Sequence, residues 1–384
     1  MRKRRLAFLI AGLVVVGLIG GYFMVTSSPE CVELVFMAER TVMEGTEIGS
    51  RDSATASLVG IQPEVEPGEY GCPESFKRKM ELYLQYAKHK GYLTPKTIVV
   101  FPEYIGTWLV LLEAPAAAYI RARLEESLRW FVLKHPWRFW RAYRAAQAEG
   151  WKDPAAVAAF QGKAAEMARV YHRTFSELAR AYGVTLVAGS IVLPGARIEG
   201  DSLRVEPGAP LENVSVVYGP DGRPFPQIVR KAFPIATELT FTRPGRVEAL
   251  PTFETSLGRL GVLICADSWF PQSYQALGKV DIVVVPSYLM GDSCWGRPWR
   301  GYSGWPAPPD VRDTVLTEGQ AWLTYALGGR LPRYDSTAVG LNVFLRGQLW
   351  ELGADGQAIA VVQGKTYTTP AEVVCVWLRK ERSP

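Results

Sequence analysis

The sequence predicts an α/β domain of layered sheets and helices behind an apolar N-terminal segment, and three observations carry that expectation. Short β-branched apolar runs alternate with segments whose apolar residues recur at helical spacing, the mark of layered α/β folds. The 36 Gly and 27 Pro among 384 residues sit at the borders of these runs and form no low-complexity tract. A single uncharged stretch, Leu6 to Val25, stands apart at the N-terminus. Hydrophobic residues make up 48% of the chain, and a mean hydropathy of +0.01 leaves room for one apolar span at most. Collagen, coiled coil, disordered tail and multi-span membrane protein are thereby excluded.

The N-terminus comes first. Leu6 to Val25 is long enough, at 1.5 Å per residue, to cross a hydrocarbon core of roughly 30 Å. Arg2, Lys3, Arg4 and Arg5 precede it, which favours a cytoplasmic N-terminus and an exported body. A cleaved signal peptide is the rival reading; its apolar region would be shorter, about 7 to 15 residues, and Thr26-Ser27-Ser28 makes a poor cleavage site. The expected organisation is therefore a basic tip and transmembrane anchor over 1–29, a juxtamembrane linker over 30–55, and a catalytic domain over 56–384. The five cysteines, Cys31, Cys72, Cys265, Cys294 and Cys375, show no CxxC spacing and no nearby His, so neither a zinc site nor any other metal or cofactor is expected. An odd count outside the cytoplasm suggests pairs plus one free thiol.

In the body, Ser57 to Ile61 reads as a buried strand, and Phe76, Met80, Tyr83, Leu84 and Ala87 recur as on a helix. Thr97 to Phe101 is a second strand, closed by Pro102. A helix starts at Asp153 as cap with Pro154 in its first position and ends at Gly183. Val184 to Val192 and Val214 to Tyr218 follow as strands, the second leading into the turn Pro220-Asp221-Gly222. Leu260 to Ile264, Asp281 to Val285, Thr337 to Phe344 and Ala358 to Val362 complete the strands, with Asp355-Gly356 as a hairpin turn. Two stretches depart from this rhythm, an Arg- and Trp-rich interval at about 111–150 and a Gly-, Pro- and Trp-dense loop from Tyr288 to Pro309. Both are candidate insertions beside a site.

Titratable groups gather at strand ends. Cys265 follows an apolar strand, where open α/β sheets bind ligands. A nucleophilic Cys needs an activating partner, and the three histidines, His89, His135 and His172, lie in helical or basic segments. Glu103 follows Ile98 to Pro102, Lys231 follows Ile228 to Arg230, and Glu238 comes seven residues later. Each alone reads as a solvated charge or, for Cys265, a buried small side chain. Together, Phe-Pro-Glu, Arg-Lys-x-x-Pro-x-x-x-Glu and Gly-x-x-Ile-Cys-x-Asp in this order are hard to obtain by accident.

This ensemble resembles the carbon–nitrogen hydrolase, or nitrilase, superfamily. The resemblance runs from about Ser57 to Val362 and includes Gln62, Phe101-Pro102-Glu103, Val187-Ala188-Gly189-Ser190, Tyr218-Gly219-Pro220-Asp221-Gly222, Arg230-Lys231, Leu263-Ile264-Cys265 and Val284-Val285-Pro286-Ser287. It implies a four-layer α-β-β-α sandwich, often a homodimer. Cys265 would be the nucleophile, Glu103 the proton carrier and Lys231 the oxyanion partner, aided by the Ala266 N–H, while Glu238 would orient Lys231 or the substrate. Where nitrilases proper have Trp-Glu after the cysteine, this chain has Ala266-Asp267, which favours an amide over a nitrile substrate. Where the family often has His-Leu after the lysine, it has Ala232-Phe233.

Charge adds a partner. Between Arg121 and Arg144 lie seven basic and two acidic residues, interleaved with Trp130, Phe131, Trp137, Phe139, Trp140 and Tyr143. Ile120, Leu124, Leu128 and Phe131 keep helical spacing until Pro136. Two readings stand for this stretch: helices packed on the domain or at a dimer contact, or an interfacial helix on anionic lipid. Nucleic acid is not an expected partner, because an exported domain rarely meets any. The net charge of +5 resides in the N-terminal tip and this segment, both of which could face a membrane, and leaves a mildly acidic remainder. The expected function is a membrane-anchored amidase-type hydrolase with its domain outside the cytoplasm. A lipid-related N-acyltransferase using the same triad and a catalytically silent scaffold are the alternatives.

Overall fold

The computed structural model describes residues 31, 43–120, 123–134, 136–312 and 315–378. The apolar run Leu6 to Val25 lies outside them, and among the described residues no helix is long and apolar enough to cross a membrane.

The first half of the chain supplies β1 (Gly45–Ile48), β2 (Ala56–Ile61), α1 (Pro73–His89), β3 (Thr97–Val100), α2 (Leu124–Lys134), α3 (Pro136–Ala148) and α4 (Pro154–Tyr182). Among the short strands that follow are β4 (Thr185–Val187), β5 (Ile191–Pro194), β6 (Leu211–Ser215), β7 (Val217–Tyr218) and β8 (Val229–Arg230). The second half adds β9 (Thr252–Thr255), β10 (Gly258–Val262), α5 (Pro271–Leu277), β11 (Ile282–Ser287), α6 (Glu318–Tyr325), α7 (Leu327–Tyr334), β12 (Val339–Phe344), β13 (Ala358–Val362), β14 (Lys365–Thr369) and β15 (Val373–Leu378).

Two six-stranded sheets result, ordered β1-β15-β2-β3-β4-β7 and β9-β10-β11-β12-β13-β14, each with a parallel centre. In the first, Leu58 stands opposite Ile98; in the second, Val262 stands opposite Val284. The period-2 alternation of strands then sorts side chains into layers. Leu58, Ile98, Val100 and Val374 join Leu341 and Val343 in the core between the sheets. Their neighbours Val59, Val99 and Leu186 pack with Phe76, Met80, Tyr171 and Phe175 of α1 and α4. Helices α5 and α7 lie against the second sheet through Tyr274, Leu277, Leu327 and Leu331. This is the four-layer arrangement implied by the resemblance.

Two residues show how closely the sheets meet. A Cβ on Gly60 would lie 2.5 Å from Val343 Cγ1. Gln62, fully buried, donates from Nε2 to the Ala371 carbonyl at 2.8 Å and accepts the Phe344 N–H on Oε1 at 3.1 Å, stitching one sheet to the other.

Helix α4 begins and ends as expected: Asp153 accepts the Ala156 N–H at 2.9 Å, Pro154 takes the first position, and Gly183 closes it at φ +63°. Other expectations are corrected. The strand expected over 184–192 is two strands, because Gly189, at φ +66°, turns where a Cβ would strike the Pro102 carbonyl oxygen at 2.0 Å. Val214 to Tyr218 likewise splits at Val216, with β6 and β7 in different sheets. The tight hairpin is at Gln363-Gly364, both at positive φ between β13 and β14, and not at Asp355-Gly356, whose Asp355 accepts the Trp295 N–H. Ile120 lies beyond a short helix and is 84% exposed, so it takes no part in the packed helical face. The stretch read as linker over 30–55 contributes β1, paired in parallel with β15. Finally, Cys31 and Cys72 form a disulfide while Cys265, Cys294 and Cys375 are all free, one pair and three thiols. The two buried thiols, Cys265 and Cys375, belong to different core layers and so do not meet.

Candidate active site

Three strand ends converge. Glu103 stands three residues beyond β3 of the first sheet, Cys265 three residues beyond β10 of the second, and Lys231 directly after β8 of a small sheet ordered β8-β6-β5. The apolar strands end where they do because Pro102 and the turn at Cys265 stop the ladders, leaving the next polar side chain at the sheet edge. Cys265 is at φ +48°, a region L-residues rarely adopt, and opens a 3₁₀ turn over Cys265–Trp269.

All the sequence-selected side chains are brought together. Lys231 Nζ donates to Glu103 Oε1 at 2.8 Å and to Glu238 Oε2 at 2.6 Å, with all three side chains at most 4% exposed. The Cys265 thiol lies 3.8 Å from the Tyr288 carbonyl oxygen and lines the same cavity as Glu103 and Lys231, close enough for their charges to act on it. Ala266 lines the same cavity. Of the histidines, His172 instead sits on α4 with Nδ1 3.1 Å from the Tyr218 hydroxyl.

Burial and charge divide the protons among these groups. Burial pushes the Glu103 carboxyl above its usual range, against the pull of the Lys231 ammonium. Burial also works against the charge on Lys231, but Glu103 and Glu238 hold its pKa well above the ordinary value. At Glu238 burial is outweighed by Lys231 and by hydrogen bonds from Tyr104 and the Ile235 N–H, which keep it below the usual range. Burial and the Glu103 carboxylate push the Cys265 thiol well up, despite Lys231. At neutral pH the site thus holds a neutral thiol, an ammonium and an ionised Glu238, with Glu103 the group suited to gain and lose a proton.

Three residues that sequence reasoning gave no role complete the site. The Tyr104 hydroxyl donates to Glu238 Oε1 at 2.5 Å. Asn213 on β6 donates from Nδ2 to Glu103 Oε1 at 2.9 Å and Glu238 Oε1 at 3.2 Å, bridging the two carboxylates. Asp267, fully buried, accepts the Ala232 and Phe233 N–H groups on Oδ1 at 2.9 and 2.8 Å and the Ile264 N–H on Oδ2 at 3.2 Å. It ties the chain after Lys231 to the chain around Cys265. The Cys-x-Asp spacing was its only signal; Asn213 had none, being one of three polar residues in the short strand β6.

The site opens into a cavity of ≈ 840 Å³. The Arg- and Trp-rich interval builds part of its wall: Leu124, Leu128 and Val132 of α2 and Phe139 of α3 line it, together with Trp269, Trp299 and Trp322. Phe139 and Ala146 are the buried residues of α3, whereas Trp137, at 88% exposure, and Trp140, Arg138, Arg141 and Arg144 point outward.

The carbon-nitrogen hydrolase family model matches residues 58–304. Among solved structures, the chain is similar to a double mutant of the amidase from Nesterenkonia sp. AN1 in complex with acrylamide, with 14% identity and a TM-score of 0.52 over 87% of this chain and 94% of that one. It is also similar to a crystal structure of an amidase from Nesterenkonia sp., with 15% identity and a TM-score of 0.51 over 85% and 91% of the two chains. At such identities the likeness is one of fold. No curated protein matches the chain.

Proposed function

Since the chain belongs to the carbon–nitrogen hydrolase family, and is an enzyme of that class, we propose that it hydrolyses a non-peptide amide through a thioester on Cys265. The observation that carries this reading is Lys231 held between Glu103 and Glu238 in the cavity that the Cys265 thiol lines. Glu103 takes the thiol proton as Sγ attacks the carbonyl carbon, because a thiol with a raised pKa ionises only in concert with attack. Negative charge then develops on the carbonyl oxygen, where the Lys231 ammonium and the Ala266 N–H stabilise it. Glu103 hands its proton to the departing amine, leaving the acyl group on sulfur. Water enters, gives a proton to Glu103 and attacks the thioester; the acid leaves and Sγ regains the proton. Glu238, ionised throughout, positions Lys231. An amide, not a nitrile, is favoured by Ala266-Asp267 after the nucleophile.

The test is intact-mass spectrometry of the full-length protein in detergent with a panel of short amides, nitriles and esters. An acyl adduct is expected with the wild type and none with Cys265→Ala, whose turnover should fall by about four orders of magnitude. Absence of any adduct or turnover from a folded protein would overturn the reading.

We further propose that the domain is anchored by residues 6–25 and lies outside the cytoplasm, against the membrane. The Cys31–Cys72 disulfide supports an oxidising compartment. The outward Trp137, Trp140, Arg138, Arg141 and Arg144 of α3 support contact with anionic headgroups. The disulfide and the insertion are also neighbours, since the Glu113 N–H donates to the Gly71 carbonyl at 2.9 Å. The apolar wall favours one second reading, acyl transfer to an amine: an added amine that captured the acyl group ahead of water would establish it.

A further inference from the structure

We propose that the substrate is an amide with a long apolar acyl chain that carries no acid group, and that the insertion exists to hold that chain. This rests on the amidase reading of the Cys265 site but concerns the cavity beyond it.

Volume comes first. At ≈ 840 Å³ the cavity falls in the upper part of the roughly 300–1,000 Å³ range of small-molecule sites, far more than a two- or three-carbon amide fills. A small amide would leave most of it to water, against walls that offer that water few partners. The walls are largely apolar: Leu128, Val132 and Phe160 come from α2 and α4, and Trp269, Trp299 and Trp322 from the chain after Cys265. The aromatic side is preformed, with Trp269 stacked on Trp299 at 5.8 Å between ring centroids and edge-on to Trp322 at 4.9 Å. Rigid aromatic walls lose little entropy when a chain packs on them.

Charge decides against polar alternatives. Both cations that line the cavity, Lys231 and Arg129, have partners inside the protein. Lys231 is held by two glutamates, and Arg129 pairs with Glu125 at 2.8 Å on the exposed rim. Asp153 caps α4, and Glu351 accepts the Leu124 N–H at 2.7 Å. Among the described lining residues no cation is left over for a carboxylate at the far end of a substrate, so acidic amides are disfavoured.

The acyl side, and not the amine side, is assigned to the cavity because the acyl group stays on Sγ through both half-reactions. Contacts with it serve acylation and deacylation alike, whereas the amine must leave after the first.

The experiment has two arms. In the first, binding of acetamide, butanamide, octanamide and decanamide to full-length Cys265→Ala is followed by tryptophan fluorescence. Affinity is expected to rise about fourfold per methylene, the gain from burying one such group. In the second, kcat/KM of the wild type is measured on the same series and on N-octylacetamide. Octanamide should exceed acetamide by more than a hundredfold and N-octylacetamide by at least tenfold. Ala159→Phe, which intrudes on the cavity from α4, should shift the preferred chain shorter, and Leu128→Ala, which enlarges it, should shift it longer. Affinity independent of chain length, preference for an amide ending in a carboxylate, or preference for N-octylacetamide would overturn the proposal. If binding grows with chain length but no amide is cleaved, the amidase reading fails and the apolar chain site stands.

Discussion

At Cys265 the backbone leaves β10 at φ +48°, and this single unfavourable conformation delivers the thiol to Glu103 and starts the 3₁₀ turn that follows. Because burial raises Glu103, the acid limb of kcat/KM should lie above the ordinary glutamate value of about 4.3. Activity should fall as pH drops through that limb. Glu103→Gln should lower kcat by about two to four orders of magnitude and remove the limb, as steady-state pH profiles would show. Asp267 makes a prediction about stability. Burial raises its pKa from 3.8 to about 7, against Lys231 and three backbone N–H groups. A raised carboxyl pKa favours the fold below the unfolded value, and that contribution is lost as pH rises through about 7. Glu69, pushed to about 7 by burial despite Lys79, acts in the same direction. Asp267→Asn should therefore flatten the pH dependence of urea stability between about pH 4 and 7, by up to about 4 kcal/mol. A slope identical to the wild type's would rule this out.

Among the elements, α3 has two unlike faces, with Phe139 and Ala146 turned inward and Trp137, Trp140 and three arginines outward. Replacing Arg138, Arg141 and Arg144 with Gln should weaken binding to vesicles with anionic lipid by about tenfold in sedimentation assays, with little loss of binding to neutral vesicles or of thermal stability. Binding that does not respond to lipid charge would leave the face without this role. The helices were the most legible elements because caps and period agree: Asp153, Pro154 and Gly183 bracket α4 to the residue. The strand ends carrying Glu103, Lys231 and Cys265 were legible because a charge or thiol interrupts an apolar run. Where legibility failed, the cause lay outside the local chain. Gly189 breaks a continuous apolar run only because Pro102 packs against it, and β1 is a strand only because β15 offers it an edge. Asn213 became a site residue through two carboxylates more than twenty positions away.

For the whole molecule, the site depends on how the sheets meet, since Glu103 comes from one sheet and Cys265 from the other. Gly60 marks the closest approach, and Gln62 bonds across two residues on. Gly60→Val should cost about 1–3 kcal/mol of stability by denaturant unfolding, because Val343 must move. It should also lower kcat more than it changes KM, since a shift between sheets separates the reacting groups before it alters the cavity. The disulfide has a consequence of another kind. With residues 6–25 in a bilayer as proposed, only the five residues 26–30 separate the span from Cys31, a leash of roughly 18 Å when fully extended. A domain of this size has a radius of gyration of about 20 Å. Such a leash would be too short for the body to roll over, and the surface around Cys72 and the neighbouring insertion would then face the leaflet. The enzyme would then draw on molecules dissolved in that leaflet, a pool counted per area of membrane, and its turnover would depend on lipid surface more than on bulk concentration.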